Sequence, residues 1–387
     1  MIKQIAYTQK SAFINRKNEL KYLCDWINRE PNDILFIYGP KSSGKTTLLI
    51  KFIENNLNNK YYDIKHFNLR EMLIANYSDF IQAFFETDYS KSTEDVKQKR
   101  EYNLKLFKLS KEIIKSLENK KLDPFVVMKK ELLKIVKKGK RPVIIIDELQ
   151  ALENIYMDGQ RELLKELFNF FVAITKESHL CHVIIASSDG YFMNRIYDDS
   201  KLKKTSDFFE VEYLSEQDTK NWLSHLKEES AITAYKLSDA QINTIWKYFG
   251  GSMWEISNLL GKLIPYAKNN HIKDDHLKKN IDRAIIISRG SFNYYAKINK
   301  SKQSLFKKIL SIQNKKPVFN INDLEDLVNK GLYEETPLSD ELNNLVRHNF
   351  LAFNPTTSSY QLQGKSMFFG LKSYVENILK NSIALED

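Results

Sequence analysis

Five short runs of apolar or alternating residues punctuate the first 214 positions, each followed by a longer stretch with helical spacing. Ile34–Tyr38, Val143–Ile146 and Val183–Ala186 are uninterrupted apolar runs, the pattern of strands buried on both faces. Residues 61–69 alternate, and Phe208–Leu214 reads as a last strand. Between them, apolar residues recur with helical spacing. Leu20, Leu23, Cys24 and Ile27 make one stripe, and Thr47–Ile53 reads as a second helix. A third helix is predicted from Glu86 to Lys121, with Leu106, Leu109, Ile113 and Leu117 on one face. Asp123-Pro124 ends it, and helices over Phe125–Lys138 and Gln160–Ala173 follow. Strands alternating with helices predict a parallel α/β sheet. Ser215-Glu216-Gln217-Asp218 then opens a helix in capping style, and the chain reads as helical to about residue 288, with a break at Gly250-Gly251-Ser252. From about residue 301, helices over Leu305–Ile312, Ile321–Lys330 and Ser339–His348 precede a hairpin over Phe350–Leu362, the order of a winged helix. The expected domains are 1–214 for the sheet, with a helical insertion at about 86–141, then a helical lid at 215–290 and a winged helix at 291–387.

The chemistry is concentrated at strand ends. After Tyr38 comes Gly39-Pro40-Lys41-Ser42-Ser43-Gly44-Lys45-Thr46-Thr47, the G-x-x-x-x-G-K-[ST] spacing of a phosphate-binding loop. The glycines let the backbone curl so that its N–H groups form an anion nest at the start of a helix. In that setting Lys45 reaches the β- and γ-phosphates of ATP and the Thr46 hydroxyl ligates Mg²⁺. The run Val143–Ile146 ends in Asp147-Glu148. Asp147 is expected to hold Mg²⁺ and Glu148 to polarise the attacking water, giving metal residues Thr46 and Asp147 and catalytic residues Glu148 and Lys45. Val183–Ala186 ends in Ser187-Ser188-Asp189. Either serine could detect the γ-phosphate, or the segment could cap the helix from Tyr191; Ser187 is taken as the candidate. Arg70, at the end of the 61–69 strand, is either a phosphate contact or one half of an ion pair with Glu71 or another neighbour. His179, Cys181 and His182 lack a second ligand group at metal-site spacing.

Composition narrows the setting. With 387 residues, two or three domains are expected. No apolar run approaches the roughly 18 residues of a membrane span, and two cysteines far apart suit a reducing, cytoplasmic compartment. The net charge is +10, and residues 86–141 hold 17 basic against 9 acidic side chains. That basic surface is either a solvated helical back or a site for DNA or another anionic partner. The expected third helix of the winged region begins with Asp340 and Glu341, which is poor for approaching phosphates and favours packing or a protein contact.

Together these segments resemble the archaeal ATPase family of P-loop proteins, close to the STAND and AAA+ branches and to the origin-recognition ATPases. FINRKNEL at 13–20, GPKSSGKT at 39–46, IIIDELQ at 144–150, ASSDG at 186–190, FEVEYLSEQD at 209–218 and Gly250-Gly251 carry the likeness. It implies nucleotide-binding residues Gly39 to Thr47 with Arg16, and a Mg·ATP-hydrolysing switch with slow turnover. The switch would act on a protein or nucleic-acid partner, a second copy of the chain included. An alternative is a DNA-binding protein of origin-recognition type in which ATP is structural; a small-molecule kinase fits the large helical second half poorly. Two departures stand out: residues 199–204 lack the family's arginine-bearing segment, and Met253 replaces its proline. Arg195 is a weaker arginine-finger candidate, alternatively a surface ion pair.

Overall fold

The computed structural model describes residues 9–88, 107–157, 159, 161–190, 192, 193, 196, 202 and 204–383. Arg195 and residues 89–106 of the Lys-rich stretch lie outside the described residues. The chain divides into two compact units, one of residues 17–38 and 45–210, the other of residues 1–16, 39–44 and 211–387.

The first unit is built on a five-stranded sheet: β1 (Ile34–Tyr38), β2 (Tyr62–Asn68), β3 (Arg141–Asp147), β4 (His182–Ala186) and β5 (Ser206–Glu210). Their order is β2-β3-β4-β1-β5, and every neighbouring pair is parallel. Hydropathy ranks the strands by position. The apolar runs of β1 and β4 are buried throughout and β3 is buried from Pro142 onward, whereas edge strand β5 is half-buried at every position. Edge strand β2 buries only Ile64 and Phe67. This is what two covered faces demand of central strands and relax at the edges. Helix α1 (Lys17–Ile27) buries Leu23, Trp26 and Ile27, and its Tyr22 stacks on Phe209 at 4.2 Å while donating to Asp207 Oδ2 at 2.5 Å. The main core joins Phe36, Phe67, Ile146, Ile185 and Phe171 with Leu132 and Leu167.

The register lines up the strand ends. Asn68 lies opposite Asp147, Asp147 opposite Ala186, and Ala186 opposite Ile37. The residues that follow, Leu69-Arg70, Glu148, Ser187 and Tyr38, therefore leave the sheet side by side at its carboxyl edge, where open parallel sheets hold ligands.

Two sequence expectations change here. Of the helix predicted over Glu86–Lys121, the described residues hold the helix Lys111–Glu118, and Phe85–Thr87 instead pairs in parallel with Phe107–Leu109. Phe107-Lys108-Leu109 is buried, exposed, buried, a period of two hidden inside a stretch rich in helix formers. The last sheet strand stops at Glu210 rather than Leu214.

The second unit is mainly helical. Glu216–Ser224, Asp239–Phe249, Met253–Leu263 and the 23-residue helix Asp274–Ala296 enclose a core of Trp222, Ile245, Ile256 and Leu260. The long helix runs straight through position 290, where a domain boundary was expected. Helix Lys300–Gln313, a turn and short helix at Ile321–Leu324 and Glu325–Asn329, and helix Glu335–Arg347 precede the antiparallel pair Leu351–Asn354 and Ser359–Leu362. A closing helix, Lys365–Ile383, follows that the apolar pattern did not announce. Its Gly370 touches helix Asp274–Ala296 so closely that a Cβ there would lie 2.4 Å from Ser288 Cβ.

Candidate functional site

Helix α2 (Lys45–Asn56) starts at the lysine of the phosphate-loop spacing, so Lys45 and Thr46 occupy its first turn. Lys45 is buried, and its ammonium lowers the proton affinity of Asp147. Thr46 Oγ1 donates to Asp147 Oδ2 at 2.6 Å. Asp147 itself is only 1% exposed, and its Oδ1 accepts no hydrogen bond among the described residues. Burial pushes its carboxyl above the usual range, opposed by the Thr46 hydroxyl and reinforced by the neighbouring Glu148 charge. A buried carboxylate with one oxygen on a threonine hydroxyl and the other unpartnered is a fitting seat for a small hard cation. Among the described residues no cluster of three or more His, Cys, Asp or Glu is arranged as a metal cage, so a cation here would rely on water and phosphate oxygens.

Glu148 takes the left-handed backbone conformation, φ 65°, and donates its N–H to Ala186 O at 2.8 Å. Its carboxylate is held at both oxygens. Arg70 and the Ser188 hydroxyl, the latter at 3.0 Å, donate to Oε1, and the Gln150 amide donates to Oε2. Ser187 Oγ donates to Gln150 Oε1 at 3.0 Å and accepts from the Asp189 N–H at 3.0 Å. A line of side chains thus runs from Ser187 through Gln150 to Glu148. Arg70 does not pair with Glu71, which instead accepts from Asn68 at 2.7 Å. Gln150 is the site residue that motif reading missed. Its position two residues past Glu148 was visible, but only the turn Leu149–Leu152 brings it back onto that carboxylate.

Residues Gly39–Gly44 are tied down through their backbone. Gly39 has φ 143°, and a Cβ on it would meet Val211 O at 2.3 Å, so conformation and space both require glycine. Ser42 is left-handed at φ 67°, and Ser43 N–H reaches Pro40 O at 3.3 Å. Arg16, 5% exposed, donates from Nη2 to Ser43 O at 2.7 Å and to Glu212 O at 2.9 Å. Lys41 has its N–H on Gln363 Oε1 at 3.1 Å and its carbonyl accepting from the Tyr213 hydroxyl at 3.0 Å. Met253 sulfur would lie 3.3 Å from a Cβ placed on Gly44, so the residue that departs from the family's proline packs on the loop. Thr47 continues the first turn of α2. His179 Nδ1 contacts Pro31 O at 2.6 Å, and the buried His182 sits edge-on to Trp26 at 5.0 Å.

A model of the ATPase domain found predominantly in Archaea matches residues 13–259. An uncharacterized ATP-binding protein of Methanocaldococcus jannaschii is 32% identical over 371 residues, covering 94% of this chain and 95% of that one. Among solved structures, the Walker-type ATPase of Pyrococcus abyssi superposes with a TM-score of 0.63 at 16% identity, over 95% of this chain and 99% of that one. The ORC2 protein of Aeropyrum pernix, solved in ADPNP and ADP complexes, superposes with a TM-score of 0.53 at 12% identity, over 98% of each chain. These likenesses show a parallel-sheet α/β P-loop fold shared with those ATPases.

Proposed function

The chain belongs to the family of ATPase domains found predominantly in Archaea, and from that premise we propose that it binds Mg·ATP, hydrolyses it slowly and uses the bound state as a switch on a partner. The observation that carries this reading is the pairing of Thr46 with Asp147 directly beside Glu148. Thr46 and Asp147 would hold Mg²⁺, which when bound neutralises phosphate charge. Gly39 to Thr47 and Lys45 would cradle the phosphates, with Arg16 acting as a positioning residue through the Ser43 carbonyl. Glu148 would orient and polarise water, and Ser187 would report phosphate occupancy through Gln150. The hydrogen bonds that Glu148 already accepts support slow turnover: Arg70, Ser188 and Gln150 take three of the roughly four lone-pair sites of its carboxylate, leaving about one for water.

The helices and hairpin of residues 300–362 fit a winged helix used for packing or protein contact. Glu341, on its third helix, lies 3.5 Å from Lys302, and Lys302 also sits over the Tyr295 ring at 4.0 Å. Glu148→Gln tests the enzymatic reading. Nucleotide affinity should stay within about twofold while turnover falls by roughly 100-fold or more; hydrolysis at the parental rate removes Glu148 from the assigned role.

A DNA partner is the second reading. It rests on the solvent-facing lysines Lys111, Lys115, Lys121, Lys129, Lys130 and Lys137. A salt titration with duplex and single-stranded DNA checks it, and no binding at low salt eliminates it.

A further inference from the structure

We propose that Gln363 is a latch on the phosphate loop: in the nucleotide-free protein its side chain occupies a loop N–H, and phosphate binding displaces it together with the strip Gln363–Ser366. The inference rests on the ATP-binding reading and adds a residue from the far end of the second unit to the loop's control.

The loop works by presenting backbone N–H groups to phosphate oxygens. One of the loop's donors, the N–H of Lys41, is instead taken by Gln363 Oε1 at 3.1 Å. The Gln363 side chain is 9% exposed and is aimed by two further bonds: its Nε2 donates to Leu351 O at 3.3 Å, and its own N–H reaches Phe350 O at 3.0 Å. The Tyr213 hydroxyl completes the clasp, donating to Lys41 O at 3.0 Å from a point 3.5 Å from Gln363 Oε1. Lys41 is thus gripped at both its N–H and its carbonyl.

The residues after Gln363 are seated on the same surface. The Lys365 stem lies against Gly250 and its ammonium sits 4.0 Å from the Trp246 ring centre. Ser366 donates to Glu255 Oε1, and the Glu255 carboxylate and the Tyr213 hydroxyl both flank Gly364. Burial holds the Glu255 carboxyl above its usual range, with Ser366 and Ser252 opposing the shift. This short strip joins the hairpin to helix Lys365–Ile383. A change at Lys41 therefore has a direct mechanical route to that helix. Phosphate oxygens are stronger acceptors than a neutral amide, so an anion in the loop outcompetes Gln363 Oε1. Conversely, whatever stabilises the docked strip weakens nucleotide binding by the same factor.

The test uses the full chain and opposite-signed substitutions. Gln363→Ala removes the competing acceptor, and a fluorescent non-hydrolysable ATP analogue should bind about fivefold tighter, the worth of one neutral hydrogen bond. Gln363→Glu keeps the acceptor and adds a negative charge, so the same analogue should bind about tenfold weaker. Hydrogen exchange of the 39–44 segment in nucleotide-free protein gives an independent readout. It should speed up in Gln363→Ala and in Tyr213→Phe, the latter covering the case in which the first variant folds poorly. Both Gln363 variants shifting affinity in one direction, or loop exchange equal to that of the parent, overturns the latch. Failure of the parent to bind the analogue instead removes the ATP reading, and the exchange measurement still decides whether Gln363 restrains the loop.

Discussion

The sheet unit and the helical unit hold their polar chemistry in different ways. At the carboxyl edge of the sheet, side chain meets side chain: Thr46 with Asp147, and Arg70, Ser188 and Gln150 with Glu148. In residues 39–44 it is the backbone that is held, by Arg16, Gln363 and Tyr213, with Val211 packed against Gly39. On the proposed reading, the first arrangement would set what can react and the second when the loop is free to receive an anion.

The substitution expected to do most is Lys45→Ala, which removes the buried ammonium from the side-chain cluster. Nucleotide affinity should drop about 100-fold or more, measurable by titration calorimetry; retained affinity would mean the backbone donors alone bind the phosphates. Next is Arg70→Ala. The Arg70 side chain is 53% exposed, so its pairing with Glu148 is worth no more than about 1 kcal/mol. Freeing Glu148 should raise single-turnover hydrolysis by about fivefold at most, and a fall in rate would instead place Arg70 among the phosphate contacts.

The last effect concerns acid and bears on stability alone. Burial depresses His182 from 6.5 to about 3 and also lowers His66, and both belong to the sheet unit. With a folded value below the unfolded one, the unfolded chain takes up the proton first. The stabilising contribution is therefore intact above about pH 6.5 and shrinks as pH falls toward 3, by at most about 1.4 kcal/mol per pH unit for one histidine. Urea unfolding at pH 7 and pH 5 should show that loss, and His182→Gln should flatten it; an unchanged slope assigns the acid response elsewhere.

The two units also differed in how far sequence alone described them. The three central strands were legible because buried parallel strands leave continuous apolar runs; β2 was legible from its alternation, β5 was found with displaced bounds, and Asp147, Glu148 and Ser187 were legible because their strands end there. The small pair Phe85–Thr87 and Phe107–Leu109 was not, since three-residue strands carry too few positions to outweigh the helical spacing around them. Helix Lys365–Ile383 was not read from the sequence, and its Gly370 is the point of close approach to Ser288. Gln150 stood in the IIIDELQ stretch, but its bond to Glu148 is set by a turn, and Gln363 reaches the loop through a hairpin rather than by spacing along the chain.

Lys41 and Gln363 stand 322 positions apart. At a synthesis rate of about 5–20 residues per second, a newly made loop waits roughly 15 to 65 s before its clasp exists. Under the proposed function, a nucleotide reaching the chain during that interval would meet a Lys41 N–H that Gln363 has not yet taken.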